Sequence, residues 1–376
     1  MTQNPELQRL LRRRGFLGVA AGAAAAGLFA SGSPAQAAQT APAGGRPAVP
    51  RGRLGIQLYT VRDQVQSLGF ARLFEELSRY GYDAVEFAGY TQGTGSISLK
   101  ALKRLLRESG LHGVGSHVGY HSQDPAAYTF ATQLEKVMDD AAALGLPHIG
   151  TASGPGRYGN TVDAWKRAAA EFNTYGAAAR RRGMKFYQHN HQMEFAFAED
   201  DPTVRLYDVL LRETDPDLVF LEMDIYWAYA GQHRFSVRPD GVPAPFEPLD
   251  YVLAAPHRYP LFHVKDGEHD EASADGYHMV DVGDGDIDYG RFIRAVAQRP
   301  HGRAHFWNVE RDDAPNPATN PAGSLSTARR SAAHLRTLRG PRGAQPADPD
   351  PCGAGPCGAV PFRRGGWRAQ RMRSAV

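Results

Sequence analysis

The fold is decided by four short runs in the second half of the chain: KFYQH (185–189), LVFLEMD (218–224), LFHV (261–264) and AHFWNVE (304–310). Each run contains consecutive large apolar residues and has the length of a strand buried on both faces of a parallel sheet. Each also carries a histidine or a carboxylate at or near its end. Such a side chain has a desolvation cost there unless it is paired or bound to an ion. The runs therefore predict buried strands whose ends carry histidine or carboxylate side chains that are paired or bind an ion.

Similar runs alternate with longer amphipathic stretches along the body of the chain, which indicates parallel strands joined by crossover helices. The units form one continuous series over residues 53–338, close to the length of about 250 residues that is typical of one (β/α)8 barrel. We therefore predict a single closed barrel of class α/β. The predicted strands are 54–59, 84–88, 113–117, 148–151, 185–189, 218–224, 261–264 and 304–310, and the predicted helices are 70–80, 99–109, 126–144, 162–182, 203–211, 246–255, 289–297 and 325–338.

The N-terminus resembles an export signal. The pattern RRGFL (13–17) precedes an apolar run at 18–30 and a small-residue cleavage site, SPAQA (33–37). Together these features are typical of a twin-arginine signal peptide of residues 1–37. Because the apolar run is shorter than the about 20 residues that span a bilayer, we expect cleavage, export to the cell envelope or medium, and no stable membrane anchor. The alternative is an uncleaved anchor. Residues 38–52 would form a linker.

The C-terminal residues 339–376 consist mostly of Pro, Gly, Ala and Arg and are predicted to be a disordered tail. This tail holds both cysteines of the chain, Cys352 and Cys357, which leaves a weak zinc pair and a disulfide equally open. The formal charge of +3 arises from 43 basic and 40 acidic residues, with the basic excess in the signal and the tail. The body carries no long basic stripe, so we do not expect a nucleic-acid partner.

Polar side chains at the ends of barrel strands are informative, because the active site of such barrels lies at the C-terminal ends of the strands. Four of these side chains end consecutive predicted strands and could converge on one half of the barrel mouth. Two imidazoles and two carboxylates suit Mn²⁺, Zn²⁺, Co²⁺ or Fe²⁺ better than Mg²⁺ or Ca²⁺, which prefer oxygen ligands. The predicted metal ligands are His189, Asp224, His263 and Glu310.

Six segments together resemble the sugar phosphate isomerase/epimerase family of the xylose-isomerase-like TIM barrels. They are GIQLYTVRD (55–63), YQHNHQMEF (187–195), FLEMDIYW (220–227), FHVKDG (262–267), VGDGDIDY (282–289) and NVERDD (308–313). The resemblance covers essentially the whole body. It implies a divalent metal held by Glu, Asp, His and Glu at the ends of strands five to eight. Asp224, His263 and Glu310 take the last three of these positions.

The first ligand position departs from the family pattern, because His189 stands where the sugar epimerases usually have Glu before Asn-His. The two-glutamate epimerisation that the resemblance implies therefore cannot simply be carried over. An imidazole cannot act as a base while its lone pair binds a metal. We expect His189 to be a ligand and Glu310 to be the remaining acid/base carboxylate. His191 would point the same way on an alternating strand, so either histidine could bind the metal, and His191 could instead contact substrate.

Further candidates surround these ligands. The resemblance places Glu86 and His117 among substrate hydroxyl contacts, although each could be an interior polar residue whose hydrogen bonds are satisfied. Lys265 should face the mouth, where it could stabilise an enolate oxygen or simply neutralise Asp266. Trp227 would suit stacking on a sugar face, and plain packing is the alternative.

These features favour isomerisation or epimerisation of a sugar or keto-sugar by proton abstraction next to a carbonyl, with a metal stabilising an enediolate. The main alternative is elimination, as in dehydratases of keto-sugars or lyases of 3-keto-glycosides. A non-catalytic exported sugar-binding protein is a further alternative. Phosphodiester cleavage, as in endonuclease-IV-like relatives, would need a trinuclear zinc site and a basic surface that the body lacks. Export argues against a phosphorylated substrate, and the sequence leaves a homo-oligomer open.

Overall fold

The computed structural model describes residues 45–89, 97–152 and 154–340. The predicted export signal, Cys352 and Cys357 lie outside the described residues, so these predictions stay predictions. Among the described residues, no helix combines the length and the apolar character that crossing a bilayer requires.

Eight parallel strands close into a barrel, which confirms the predicted fold class. The barrel strands are β1 (Leu54–Gln57), β2 (Ala84–Phe87), β3 (His112–Val118), β4 (His148–Thr151), β5 (Lys185–His189), β6 (Val219–Asp224), β7 (Leu261–Val264) and β10 (Phe306–Val309). Their order around the barrel is β1-β10-β7-β6-β5-β4-β3-β2, and hydrogen bonds between neighbouring strands leave no free edge in this sheet. A two-stranded antiparallel hairpin, β8 (Asp266–His269) and β9 (Tyr277–Val280), follows β7.

Helices follow the strands and pack their apolar faces on the outside of the barrel. They are α1 (Arg62–Arg79), α2 (Leu99–Ser109), α3 (Phe130–Leu144), α4 (Val162–Arg181), α5 (Leu206–Glu213), α6 (Ile225–Arg234), α7 (Pro248–Ala254), α8 (Tyr289–Ala297) and α9 (Ser324–Thr337). The start of α4 shows why the sequence folds this way locally, since the Thr161 side chain accepts a hydrogen bond from the Ala164 backbone N–H. Such a cap satisfies a backbone donor that the helix itself leaves free.

Three differences from the predicted elements stand out. Helix α6 begins directly after β6, where no helix was predicted, and the hairpin β8–β9 was not predicted either. The predicted linker is shorter than expected, because Ala48 and Val49 are buried and the Ala48 N–H donates to the Leu338 carbonyl at 3.0 Å. The end of the linker thus belongs to the folded body.

The interior of the barrel has an apolar layer below a polar one. Ala84, Val114, Tyr187 and Leu261 form a small buried cluster inside the sheet. Above it, strand register brings polar residues side by side: Asp224 pairs with His263 across β6 and β7. Because the strands are parallel, their carboxyl ends meet at one face, and that face carries the candidate site.

Candidate metal centre

Four buried side chains converge at the carboxyl ends of β5, β6, β7 and β10. They are the four predicted metal ligands: His189, Asp224, His263 and Glu310. One potential ligand atom from each lies within 4.8 Å of those of the other three. The structure therefore brings together the set that the sequence predicted, in a geometry that a single ion could bridge. We call these four side chains the outer group.

The contacts of the outer group centre on one ring nitrogen of His263. Its Nδ1 lies 2.7 Å from Glu310 Oε2 and 3.7 Å from Asp224 Oδ2. His189 Nε2 lies 3.0 Å from the same nitrogen. All four side chains therefore meet at this atom.

Asp224 uses its two carboxylate oxygens differently. Oδ1 accepts a hydrogen bond of 2.9 Å from the Trp227 backbone N–H and so caps α6. Oδ2 is buried and accepts no hydrogen bond within the part of the chain that the structure describes. The nearest cation to Oδ2 is Lys265 Nζ at 2.9 Å. Asp224 is thus a helix cap with one oxygen left to face the outer group.

Lys265 lies beside the outer group and is only 1% exposed. Its Nζ lies 2.9 Å from Asp224, 3.1 Å from Glu310 and 2.9 Å from Asp312. Burial alone would lower the pKa of Lys265, but these carboxylates outweigh it and raise the pKa well above its usual value. Lys265 is therefore a fixed ammonium. Asp266, the alternative partner considered from the sequence, accepts hydrogen bonds instead from the backbone N–H groups of Gly267 in β8 and of Gly283 in the loop after β9.

A second, deeper cluster lies directly below and shares His263. Glu86 Oε2 lies 2.8 Å from His263 Nε2, and His117 Nε2 lies 2.8 Å from Glu222 Oε2. Glu86 also accepts hydrogen bonds from the Tyr187 hydroxyl and from Asn308 Nδ2. Although burial acts to raise it, the imidazoles of His263 and His117 lower the pKa of Glu222 to about 2. We call Glu86, His117 and Glu222 the inner group.

The inner group changes the expectation for Glu86. It is fully buried, with its oxygens engaged by His263, Tyr187 and Asn308. It supports His263 from below, as expected of the interior polar residue that the sequence left open for this position, and its predicted contact with a substrate stays a prediction. His117 lies higher, with its ring centroid 5.0 Å from that of His189. Burial alone would lower the pKa of His117, but Glu86 and Glu222 raise it.

Hydrogen-bond partners indicate the tautomers of the two outer histidines. His263 Nε2 faces the Glu86 carboxylate, and His189 Nδ1 lies 3.3 Å from the Ala152 carbonyl. Because carboxylates and carbonyls only accept hydrogen bonds, these two nitrogens are assigned as the protonated ones. The remaining nitrogens, His263 Nδ1 and His189 Nε2, face each other across 3.0 Å, and Glu310 Oε2 lies 2.7 Å from His263 Nδ1. Because two lone pairs would repel each other here, this point calls for a positive charge, either a second proton on His263 shared with Glu310 or a cation in its place.

The charges of the site lead to the same conclusion. Burial alone would lower the pKa of His263, but Glu222 and Glu310 hold it well above its usual value, so the structure favours an extra proton on this ring. Burial acts to raise the pKa of Glu310, yet Lys265 and His263 keep it well below its usual range. The outer group is therefore a place where carboxylates are ionised and a cation is stabilised.

His191 is held apart from the outer group by the backbone that follows it. Its backbone N–H donates to Glu194 Oε2 at 2.9 Å, which fixes the start of the following turn. Burial lowers the pKa of His191 to about 3, so the ring is neutral and has one N–H that can donate. Among the described residues, the potential ligand atoms that converge in the outer group include His189 and not His191. His191 is therefore better placed for a substrate contact than for a metal.

Trp227 lies on the same side of the mouth as His191 and Lys265. Its ring centroid is 5.7 Å from that of His191, and Lys265 Nζ lies 5.4 Å from the indole. The Trp227 Nε1 is buried and donates no hydrogen bond among the described residues. The predicted roles of Trp227, His191 and His117 in substrate binding stay predictions.

Two functional candidates were not found from the sequence. Glu222 stands two residues before Asp224, so strand alternation puts both side chains on the interior face, and that period was the available signal. Asp312, which contacts Lys265, lies in a loop two residues after Glu310, where no periodicity applies.

Comparison with known proteins agrees with this architecture. Residues 74–337 match the family model described as xylose isomerase-like TIM barrel, and the chain belongs to this family. A sugar phosphate isomerase/epimerase from Parabacteroides distasonis ATCC 8503 is similar in structure, with 22% identity and a TM-score of 0.57, over 76% of this chain and 94% of that one. No curated protein matches the chain.

Two further solved structures share the fold at lower identity. A xylose isomerase domain-containing protein from Salmonella typhimurium LT2 has 12% identity and a TM-score of 0.53, over 76% of this chain and 98% of that one. The IOLI protein, solved with a bound zinc atom, has 14% identity and a TM-score of 0.54, over 75% of this chain and 97% of that one. At these identities the likeness extends to the fold alone.

Proposed function

We propose that the protein is a metal-dependent isomerase or epimerase of a sugar or keto-sugar, with one divalent ion held by the outer group. The observation that carries this proposal is the convergence of two imidazole nitrogens and two ionised carboxylates on one buried point. With neutral histidines the four ligands have a formal charge of about −2, which a divalent cation neutralises. The mixed nitrogen and oxygen donors favour Mn²⁺, Zn²⁺, Co²⁺ or Fe²⁺ over Mg²⁺.

A cation bound at this place would supply Lewis acidity to adjacent carbonyl and hydroxyl oxygens of a substrate, and so stabilise an enediolate. The protein groups around it divide the remaining tasks. The ion-pair contacts of Glu310 with His263 at 2.7 Å and with Lys265 at 3.1 Å are made by Oε2, so Oε1 is the oxygen that would accept or return a substrate proton. Lys265, a fixed ammonium, can donate a hydrogen bond to an oxygen that gains negative charge.

The other site residues would bind and orient the substrate. The ring N–H of the neutral His191 can donate to a hydroxyl or carbonyl oxygen, and the Trp227 indole offers a flat apolar face and an N–H without a partner among the described residues. Because Lys265 is already paired with three carboxylates, it makes a poor clamp for a phosphate. We therefore propose an unphosphorylated sugar as substrate, which also agrees with the predicted export signal.

Elimination from a keto-sugar or 3-keto-glycoside is the second candidate. His189 occupies the place of one of the two glutamates that the epimerases use, and Asp224 caps α6 with one oxygen and faces Lys265 with the other, so Glu310 is the remaining carboxylate of the outer group that could act as the base. One base is enough for a proton shift between neighbouring carbons or for elimination, whereas inversion of a stereocentre needs a second proton donor on the opposite face. His117, whose pKa is raised, is the group best placed to fill that need.

The direct test combines metal analysis of the purified protein with proton exchange in D₂O. We expect one equivalent of transition metal per chain, and deuterium incorporation next to the carbonyl of a keto-sugar that stops when the metal is chelated. Exchange accompanied by isomer formation supports the isomerase, and exchange accompanied by loss of a hydroxyl or glycosyl group supports the lyase. A protein with neither metal nor exchange would be a sugar-binding protein at most.

Replacement of Glu86 with glutamine tests the support from the inner group. The amide keeps the size of the side chain but no longer attracts the His263 Nε2–H as a carboxylate does, so Nδ1 becomes a poorer ligand. We expect metal affinity to fall by about 10–100-fold, as for other residues that orient metal-bound histidines. Competition with a calibrated chelator measures this change. Asp313→Asn, which removes a nearby carboxylate that contacts Arg311, is the matched control and should leave the affinity unchanged.

A further inference from the structure

A cavity lies at the opposite end of the barrel from the outer group. It has a volume of about 540 Å³ and is lined by residues at the starts of strands, including Arg53 before β1, Lys185 at the start of β5 and His305 before β10. This volume is within the range of about 300–1,000 Å³ that is usual for pockets that hold small molecules. The apolar layer inside the barrel separates the cavity from the candidate metal centre.

Two cations line this cavity without a carboxylate partner. The Arg53 guanidinium lies 4.4 Å from the centroid of the Phe306 ring, and Lys185 Nζ lies 4.6 Å from that of Phe220. Within the described ranges neither forms an ion pair. Asp217 also lines the cavity, so the charged side chains leave a net formal charge of +1 when the histidines are neutral.

Two buried histidines add hydrogen-bond acceptors to the lining. Nδ1 of His148 lies 2.7 Å from the Val114 carbonyl, and Nδ1 of His305 lies 2.6 Å from the Tyr259 carbonyl. A carbonyl can only accept, so both Nδ1 atoms carry the proton and both Nε2 atoms offer a lone pair. His305 is only 3% exposed, and its Nε2 has no hydrogen-bond partner among residues 45–89, 97–152 and 154–340.

The surrounding charges keep these rings neutral. Burial, together with the positive charges of Lys185 and Arg53, lowers the pKa of His148 to about 4. Burial lowers the pKa of His305 as well, and Arg53 and His301 act in the same direction. Near neutral pH the cavity therefore offers cations without a carboxylate partner together with imidazole acceptors. The cations suit an anionic group on a ligand, and the imidazole acceptors suit a hydrogen-bond donor.

We propose that this cavity binds a small hydroxylated carboxylate. The carboxylate would pair with Arg53 and Lys185, and its hydroxyl groups would donate to the Nε2 atoms of His305 and His148. A single negative charge matches the net charge of the lining, and a donated hydroxyl satisfies the buried acceptor of His305, which is otherwise costly to leave without a donor. The site is independent of the proposed catalytic function, since none of its residues belongs to the outer or inner group.

Isothermal titration with D-gluconate tests the site, at neutral pH and constant ionic strength. Hexanoate, which lacks hydroxyls, and sorbitol, which lacks the charge, are the comparison ligands. We expect saturable gluconate binding and at least about tenfold weaker binding of either comparison ligand, because each loses one set of hydrogen bonds. If gluconate does not bind, or if hexanoate or sorbitol binds as tightly as gluconate does, the proposal is wrong.

Variants locate the binding within the molecule. The double variant Arg53→Gln and Lys185→Gln should weaken gluconate binding by at least about tenfold and leave the metal content unchanged. Lys100→Gln removes the same type of charge from an exposed residue of α2 that does not line the cavity, and should bind gluconate as the unmodified protein does. Gluconate binding that survives in the double variant would place the ligand elsewhere and overturn the assignment. Because metal content is measured alongside, this failure is distinguishable from failure of the proposed function.

Discussion

His189→Ala protein should contain no stoichiometric metal and should lose the metal-dependent reaction, whereas His191→Ala protein should keep its metal. His189 Nε2 faces His263 Nδ1 at 3.0 Å, while His191 is not among the described side chains whose potential ligand atoms converge there. A metal acting as a Lewis acid supplies several kcal/mol of transition-state stabilisation. Its loss should therefore reduce kcat/KM by about 10³-fold or more.

The two variants are matched controls for each other, since each replaces a histidine with alanine and the two positions lie two residues apart at the carboxyl end of β5. Metal content is measured by mass spectrometry on protein dialysed against buffer, and folding by circular dichroism. For His191→Ala we expect a raised KM and a nearly unchanged metal content, because the lost group is a substrate donor. Full metal content in His189→Ala, or loss of metal in His191→Ala alone, would exchange the two roles and contradict the account.

Glu310→Gln should separate metal binding from proton transfer. The amide oxygen can still act as a ligand, although more weakly, but an amide cannot accept a substrate proton. A positioned general base contributes about 10²–10⁴-fold to the rate, so we expect deuterium exchange to fall by that factor when the metal is supplied at saturating concentration. Exchange is measured by nuclear magnetic resonance of the substrate in D₂O.

The comparison for Glu310→Gln is Asp312→Asn, which removes a carboxylate from the other side of Lys265. Lys265 keeps its contacts with Asp224 and Glu310 in that variant, so the ammonium stays in place and exchange should fall far less. An exchange rate in Glu310→Gln close to that of the unmodified protein would mean that another group carries the proton. His117 would then be the first residue to replace.

The sequence was sufficient for the barrel because strand and helix signals alternate in one series. Each predicted strand overlaps a strand of the closed sheet. The predicted and observed strands β5 and β6 also end at the same polar residues, His189 and Asp224. The four predicted ligands converge for the same reason: parallel strands end at one face, and their order in the barrel follows from their order in the chain. No side-chain geometry was needed for that inference.

The sequence was insufficient where one residue has two tasks. Asp224 ends β6 and also caps α6. It was interpreted only as the end of a strand, so the start of the helix directly after it was not predicted. Trp227, which was considered for stacking on a sugar or for plain packing, also lies in the first turn of α6. A strand–helix junction without an intervening loop leaves no Gly or Pro signal between the two elements.

Depth inside the barrel was also not predictable. Strand alternation places Glu86 and Glu222 on the interior face but does not say how far they lie from the mouth. Their depth depends on strand register and on Tyr187, whose hydroxyl reaches Glu86 because β3 offers Gly115, where a Cβ atom would lie 3.1 Å from both groups. These relations span several strands, so they are visible only in the assembled barrel.

Anomalous scattering from crystals grown with Mn²⁺ or Zn²⁺, measured on both sides of the metal absorption edge, tests the central claim most directly. We predict one strong anomalous peak per chain, within bonding distance of His189 Nε2, Asp224 Oδ2, His263 Nδ1 and Glu310. If instead no peak lies among these atoms, and His263 and Lys265 stay in direct ion pairs with the two carboxylates in the presence of metal, the site is a structural charge network and the proposed enzyme is contradicted.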